Sequence, residues 1–167
     1  MKKLLLTLCC ASIFSLLFAR GNGDEQAIKN QVQAFLNSWN RHNYDDMNNY
    51  TTDSVEWVNI VGMWWKGRKE VQFAHQAYHN TMFKNTPLEL KQATVRFVTA
   101  DVAIVHMICY YPEFTTPDGR KAGNTDDIAT IVFVKKRGKW LMEAGENVSI
   151  NEAAKPHDPV KQMPKNE

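Results

Sequence analysis

His75 and His79 lie four residues apart in a stretch with helical period, one turn above each other, a spacing that can set two imidazoles on one metal ion. The segment reads His75-Gln76-Ala77-Tyr78-His79 and lacks the third ligand and the general-base Glu of a hydrolytic zinc site, so no metal is expected. His79 then reads as a surface residue, and His75 as either a pocket residue or a structural histidine. His106 and Tyr110 share one face of an apolar strand with Val102, Ile104 and Ile108. A polar side chain there needs a hydrogen-bond partner, or a ligand that acts as one. Glu146 is a candidate general base if desolvation raises its pKa, and a rim carboxylate if it does not. Asn147 is opposite in phase to Trp140, Met142 and Glu146, and alternation alone does not say which of the two faces points inward. Trp57 and Trp65, with Trp39, Trp64 and Tyr78, make the first half of the chain rich in rings, which suit either the wall of a small-molecule pocket or a core.

The elements that must position these residues follow from hydrophobic period. Ile28, Val32, Phe35, Leu36 and Trp39 form one apolar stripe on a helix predicted from Asp24 to about His42, which places Trp39 in the core. Ser54 to Ile60 alternates as a strand, with Val55, Trp57 and Asn59 on one side, and Asp53 ties its start. Gly62 and Gly67 bracket Met63-Trp64-Trp65. A second helix is predicted from Arg68 to about Phe83, with Val71, Ala74, Tyr78 and Met82 as its stripe. Four strands follow, at Leu88–Val98, Val102–Phe114, Ile128–Lys135 and Lys139–Ile150, with a turn at Thr116-Pro117-Asp118-Gly119. From Asn151 the chain is polar and aperiodic, and 151–167 reads as a disordered tail. The expected class is α+β: helices covering one face of a meander of antiparallel strands. Two central strands are apolar on both sides, so the second face is expected to pack on another subunit, giving a homodimer.

Composition narrows the function classes. Lys2 and Lys3, an uncharged apolar run of about 15 residues from Leu4 to Phe18, and the small Ala19 read as a signal peptide over residues 1–19. The run falls short of the roughly 20 residues of a spanning helix, so no stable membrane insertion is expected after cleavage. Export to the periplasm or the extracellular space is the expected localisation. Losing two lysines leaves 18 basic against 18 acidic side chains, which supplies no basic face for a nucleic acid. Cys109 is the one cysteine beyond the leader, so no internal disulfide is expected. About 148 residues suit a single domain, placed at 24–150.

The motif Asp53-Ser54-Val55-Glu56-Trp57-Val58-Asn59-Ile60-Val61-Gly62, followed by Trp65-Lys66-Gly67-Arg68 and His75, resembles the SnoaL-like (SgcJ/EcaC-type) branch of the nuclear transport factor 2-like superfamily. Asp101-Val102-Ala103-Ile104-Val105, the Asp118-Gly119 hairpin and Gly138-Lys139-Trp140-Leu141 running into Asn147 extend the resemblance over about 24–150. It implies a cystatin-like cone, a curved antiparallel sheet wrapped around the N-terminal helices, with a pocket at the open end and His75 facing it. Trp57, Val58 and Asn59 stand where steroid isomerases of the superfamily carry their acid, and Glu146 where this branch commonly has His. The resulting expectation is a cofactor-free domain binding a small, largely apolar molecule, with Trp57, Asn59, Trp65, His75, Tyr110 and Asn147 around it. The alternative is a lyase or isomerase moving a proton with His75 and either His106 or Glu146.

Overall fold

The computed structural model describes residues 23–164. The expected signal peptide and the last three residues lie outside that range. The first helix, α1, covers residues 23–40 and buries Ile28, Val32, Phe35, Leu36 and Trp39 along the side expected from their spacing. Each such side chain taken from water contributes about 2 kcal/mol, which is why the stripe fixes the rotation of the helix about its axis. Its first turn is tied to the far end of the sheet by Asp24, which accepts from the Lys135 ammonium at 2.7 Å and the Trp140 indole at 3.0 Å. A 3-10 turn, Met47–Asn49, leads into β1 (Thr51–Val58); β2 (Trp64–Lys66) and α2 (Gly67–His79) follow. The remaining strands are β3 (Glu89–Thr99), β4 (Val102–Tyr111), β5 (Phe114–Thr115), β6 (Lys121–Ala122), β7 (Thr125–Lys136) and β8 (Lys139–Ser149).

Six strands form one sheet in the order β2-β1-β8-β7-β4-β3, and β5 pairs with β6 in a separate ribbon. The meander from β3 to β8 is antiparallel throughout, while β1 joins β8 in parallel. The inner face, carrying Val55, Trp57, Val105, Met107, Ile131, Phe133, Trp140 and Met142, closes over α1 as the core. Several boundaries differ from the sequence reading. The second helix stops at His79 instead of continuing to Phe83, and residues 80–85 form turns. The long strand expected to reach Phe114 ends at Tyr111, because Pro112 has no N–H to continue the ladder. Residues 151–164, expected to be disordered, contain two 3-10 turns, Lys155–His157 and Pro159–Gln162, with every side chain exposed.

One irregularity decides the site. Val132 pairs with Ala144 but Phe133 pairs with Met142, so Glu143 is an extra residue on β8. Trp140 and Met142 point inward before this bulge, and Gly145 and Asn147 point inward after it. Both phases that alternation set against each other therefore face the interior.

Candidate functional site

At the open end of the cone, α1, α2 and the inner face of the sheet enclose a cavity of about 540 Å³. Its walls are mostly rings: Phe35, Trp39, Trp57, Trp65, Tyr78, Phe83 and Tyr111. Phe35 and Trp57 stack at 5.9 Å, with planes 20° apart. Trp57 can lie flat against the sheet because its strand partner is Gly145; a β-carbon there would stand 2.2 Å from the indole. The Trp57 indole N–H donates to Asn147 Oδ1 at 3.2 Å.

His75 is buried on α2, framed by Phe35, Tyr44, Trp57 and Trp65 with ring centres 5.2 to 6.1 Å away. Its Nδ1 lies 2.8 Å from the Val71 carbonyl, which can only accept, so Nδ1 carries the proton and Nε2 keeps its lone pair. Burial lowers its pKa to about 4, against a smaller upward pull from the Val71 carbonyl. At neutral pH His75 is an uncharged acceptor in the cavity wall.

Across the sheet, Asp127 is 6% exposed and lines the same cavity. Burial raises its pKa above the ordinary carboxylate value, opposed by hydrogen bonds from Ser149, at 2.7 Å, and Asn147. Tyr111 also lines the cavity; burial, with Tyr111 near the Asp127 carboxylate, holds its hydroxyl well above its ordinary pKa. Asp127, Asn147 and Ser149 thus form a polar strip facing the rings of the chamber.

The cavity therefore gathers Trp57, Asn59, Trp65, His75 and Asn147 from the residues expected in the site. Asn59 is largely committed to its own turn, since its Oδ1 accepts from the amides of Val61 at 3.1 Å and Met63 at 2.9 Å. The other three expected residues face away. His106 and Tyr110 occupy the β4 phase opposite to the inward Val105, Met107 and Cys109, which puts them on the outer face. The Tyr110 hydroxyl donates to Asn124 at 2.7 Å. Glu146 is exposed, turned outward by the Glu143 bulge. A proton relay pairing His75 with His106 or Glu146 is thereby ruled out by geometry.

His79 is a second correction. Expected on the surface, it is 2% exposed, edge-on to Trp39 at 4.4 Å. Its Nε2 lies 3.0 Å from the Tyr44 hydroxyl and its Nδ1 2.9 Å from Nδ1 of His42. Burial, with His42 and His75 nearby, lowers its pKa to about 3. Among the described residues no group of three or more His, Cys, Asp or Glu side chains could hold a metal ion.

A cone of this kind, with a ring-lined chamber at its open end, defines the cystatin-like, nuclear transport factor 2-like class. The family model of the SnoaL-like domain matches residues 28–145, and the chain belongs to that family. It is 32% identical to a protein with a cystatin-like fold from Caulobacter vibrioides, covering 83% of this chain and 98% of that one at a TM-score of 0.81. A nuclear transport factor 2-like protein from Novosphingobium aromaticivorans shares the fold at 16% identity and a TM-score of 0.67, over 82% and 90% of the two chains. A type 2 hexachlorocyclohexane dehydrochlorinase does so at 15% and 0.62, over 79% and 88%. No match is found among curated proteins.

Proposed function

We propose that the cavity binds a small, uncharged and largely apolar organic molecule that carries one polar group. The observation that carries this reading is the burial of an imidazole and a carboxyl group in one chamber, where desolvation pulls His75 down and pushes Asp127 up, each toward its neutral form. An interior that favours neutrality in its own acid and base disfavours a charged guest for the same desolvation reason. Asp127, Asn147 and Ser149 then hold the polar group, and the rings supply the apolar contact. The test is a thermal-shift series of uncharged cyclic ketones and phenols on the wild-type and Asp127→Asn proteins. A ligand at a hundred times its Kd stabilises the fold by about 2.7 kcal/mol, and the shift should shrink in the variant. Equal shifts in both proteins would remove Asp127 from the site.

The same pair supports a second reading, a lyase or isomerase in which Asp127 gives a proton and His75 Nε2 takes one. Loss of turnover with retained binding in His75→Gln would separate it from simple binding. We also propose that the protein is exported, with residues 1–19 as its leader, and that two copies pack through the outer sheet face. Half-buried Ile104, Ile108, Ile128 and Val132 on that face support the second point. Sedimentation of residues 20–167 at micromolar concentration should show a dimer; a monomer would remove that interface.

A further inference from the structure

The β1–β2 turn combines two ordinary turn residues, Asn59 and Gly62, with large apolar side chains where surface turns usually carry Gly, Asn, Asp, Ser or Pro: it reads Asn59-Ile60-Val61-Gly62-Met63 and continues into Trp64. Ile60 is 45% exposed, Val61 70%, Met63 49% and Trp64 55%. The turn is nonetheless firmly built. Asn59 accepts from two of its amides through Oδ1, its backbone N–H donates to the Met63 carbonyl at 2.9 Å, and Gly62 donates back to Asn59 at 2.8 Å. Gly62 has φ +81°, a conformation strained for any residue with a β-carbon. Asn59 and Gly62 set the shape, and the Tyr78 hydroxyl donates to Met63 Sδ at 3.3 Å, which leaves the side chains of Ile60 and Val61 with no part in building the turn. Ile60, Val61 and Met63 stand at the entrance of the cavity.

We propose that this turn is a wedge that docks the cavity mouth on a lipid bilayer. It goes beyond the binding function and does not depend on what the cavity holds. Three apolar side chains in the turn and Trp64 at the start of β2 are far fewer than the 20–30 residues a side of an ordinary protein interface, so a protein partner or a second copy finds too little to bury. Inserting a few apolar side chains between lipid headgroups requires no such matching surface. Trp64 suits the headgroup layer, with the Lys66 ammonium 3.9 Å from its ring centre and its indole N–H donating to Glu56 at 2.9 Å. The mouth also carries Arg120, paired at 2.7 Å with Asp118. These charges are mixed in sign, so attachment rests on insertion and depends little on anionic lipid or salt. Among the described residues no helix is long and apolar enough to cross a membrane, and attachment is at the surface. An apolar guest could then enter or leave the cavity without crossing water.

The test is flotation of the protein with phosphatidylcholine vesicles, alone and with one fifth phosphatidylglycerol, while following tryptophan emission. Wild type should float with both and its emission should shift to shorter wavelength. Ile60→Asp/Val61→Asp should lower partitioning about tenfold or more, since two inserted apolar side chains are replaced by charges. Val160→Asp, altering a 64% exposed apolar residue in the C-terminal turns, should change nothing. Unchanged far-ultraviolet dichroism and melting temperature of the double variant confirm that the turn still forms. No flotation on either vesicle overturns the proposal. So does flotation on the anionic vesicle alone that 0.5 M salt abolishes, or a wild-type self-association that the double variant removes.

Discussion

The two faces of the β4–β7–β8 sheet carry nearly the same chemistry and have different consequences. On the inner face, Asp127, Asn147 and Ser149 sit among apolar residues, and on the outer face His106, Thr130 and Glu146 do the same. Inside, the carboxylate is 6% exposed, receives two hydrogen bonds and is pushed toward its neutral form. Outside, His106, Thr130 and Glu146 are all exposed and lie side by side along one row of the sheet. A polar residue on an apolar strand is therefore not evidence of a site until its side of the sheet is known. Desolvation, which the inner face imposes on Asp127, is what turns a carboxyl group into a chemical instrument.

The sharpest way to break this contrast is to place a valine on either side of β8. Gly145→Val drives a side chain into the Trp57 ring, which lies 2.2 Å from the position of the new β-carbon. The expected cost is about 3 kcal/mol in urea unfolding, together with loss of the cavity wall. Ala144→Val, one residue away on the outer face, should cost about 0.5 kcal/mol or less. Similar costs would mean that the two faces are not distinct environments.

Acid separates the faces next. Between its ordinary 6.5 and its folded value of about 4, His75 binds a proton in the unfolded chain and refuses one in the fold. Its contribution is present in full above pH 6.5 and disappears as pH falls to about 4, a loss of about 3 kcal/mol. His79, lowered to about 3, acts in the same direction. Asp127, with its pKa raised, acts in the opposite one, since its protonation favours the fold. Denaturation measured from pH 7 to pH 4 should show a net decline that His75→Gln makes shallower.

A smaller effect sharpens the same comparison through ligand affinity. Asn147→Ala removes the acceptor of the Trp57 indole and a donor to Asp127, and should weaken binding of an uncharged cyclic ketone by about 1–2 kcal/mol. Glu146→Gln, the adjacent residue, should leave affinity within about twofold by isothermal titration.

Much of this was legible in the sequence. The stripe of α1, the order of elements along the chain and the ring-rich entrance follow from spacing that few folds can satisfy. His75 and Trp57 meet in one cavity, with ring centres 5.6 Å apart. Two features were hidden for local reasons. The Glu143 bulge flips the phase of β8 midway, so strict alternation set Asn147 against Trp140 although both point inward. Asp127 is hidden because the apolar run begins only at Ile128. The ladder starts at Thr125, and carrying the inward phase of Phe133, Ile131 and Ala129 one step further back reaches Asp127. The burial of His79 is not legible from helical period, because its partners, Tyr44 and His42, come from a segment distant in sequence.

The most direct test of the inner-face site is binding of N-phenyl-1-naphthylamine, an uncharged apolar fluorophore, to wild type, Ala129→Leu and Thr130→Leu. Ala129 is a buried residue of the cavity wall, and Thr130 is its exposed neighbour on the opposite face. Emission excited through the tryptophans reports occupancy next to Trp57 and Trp65. The expected result is saturable binding that Ala129→Leu weakens about tenfold or more and Thr130→Leu leaves within twofold, with both variants folded by melting curve. Binding that Thr130→Leu disrupts while Ala129→Leu leaves it intact would place the ligand on the outer face and contradict the assignment of the cavity.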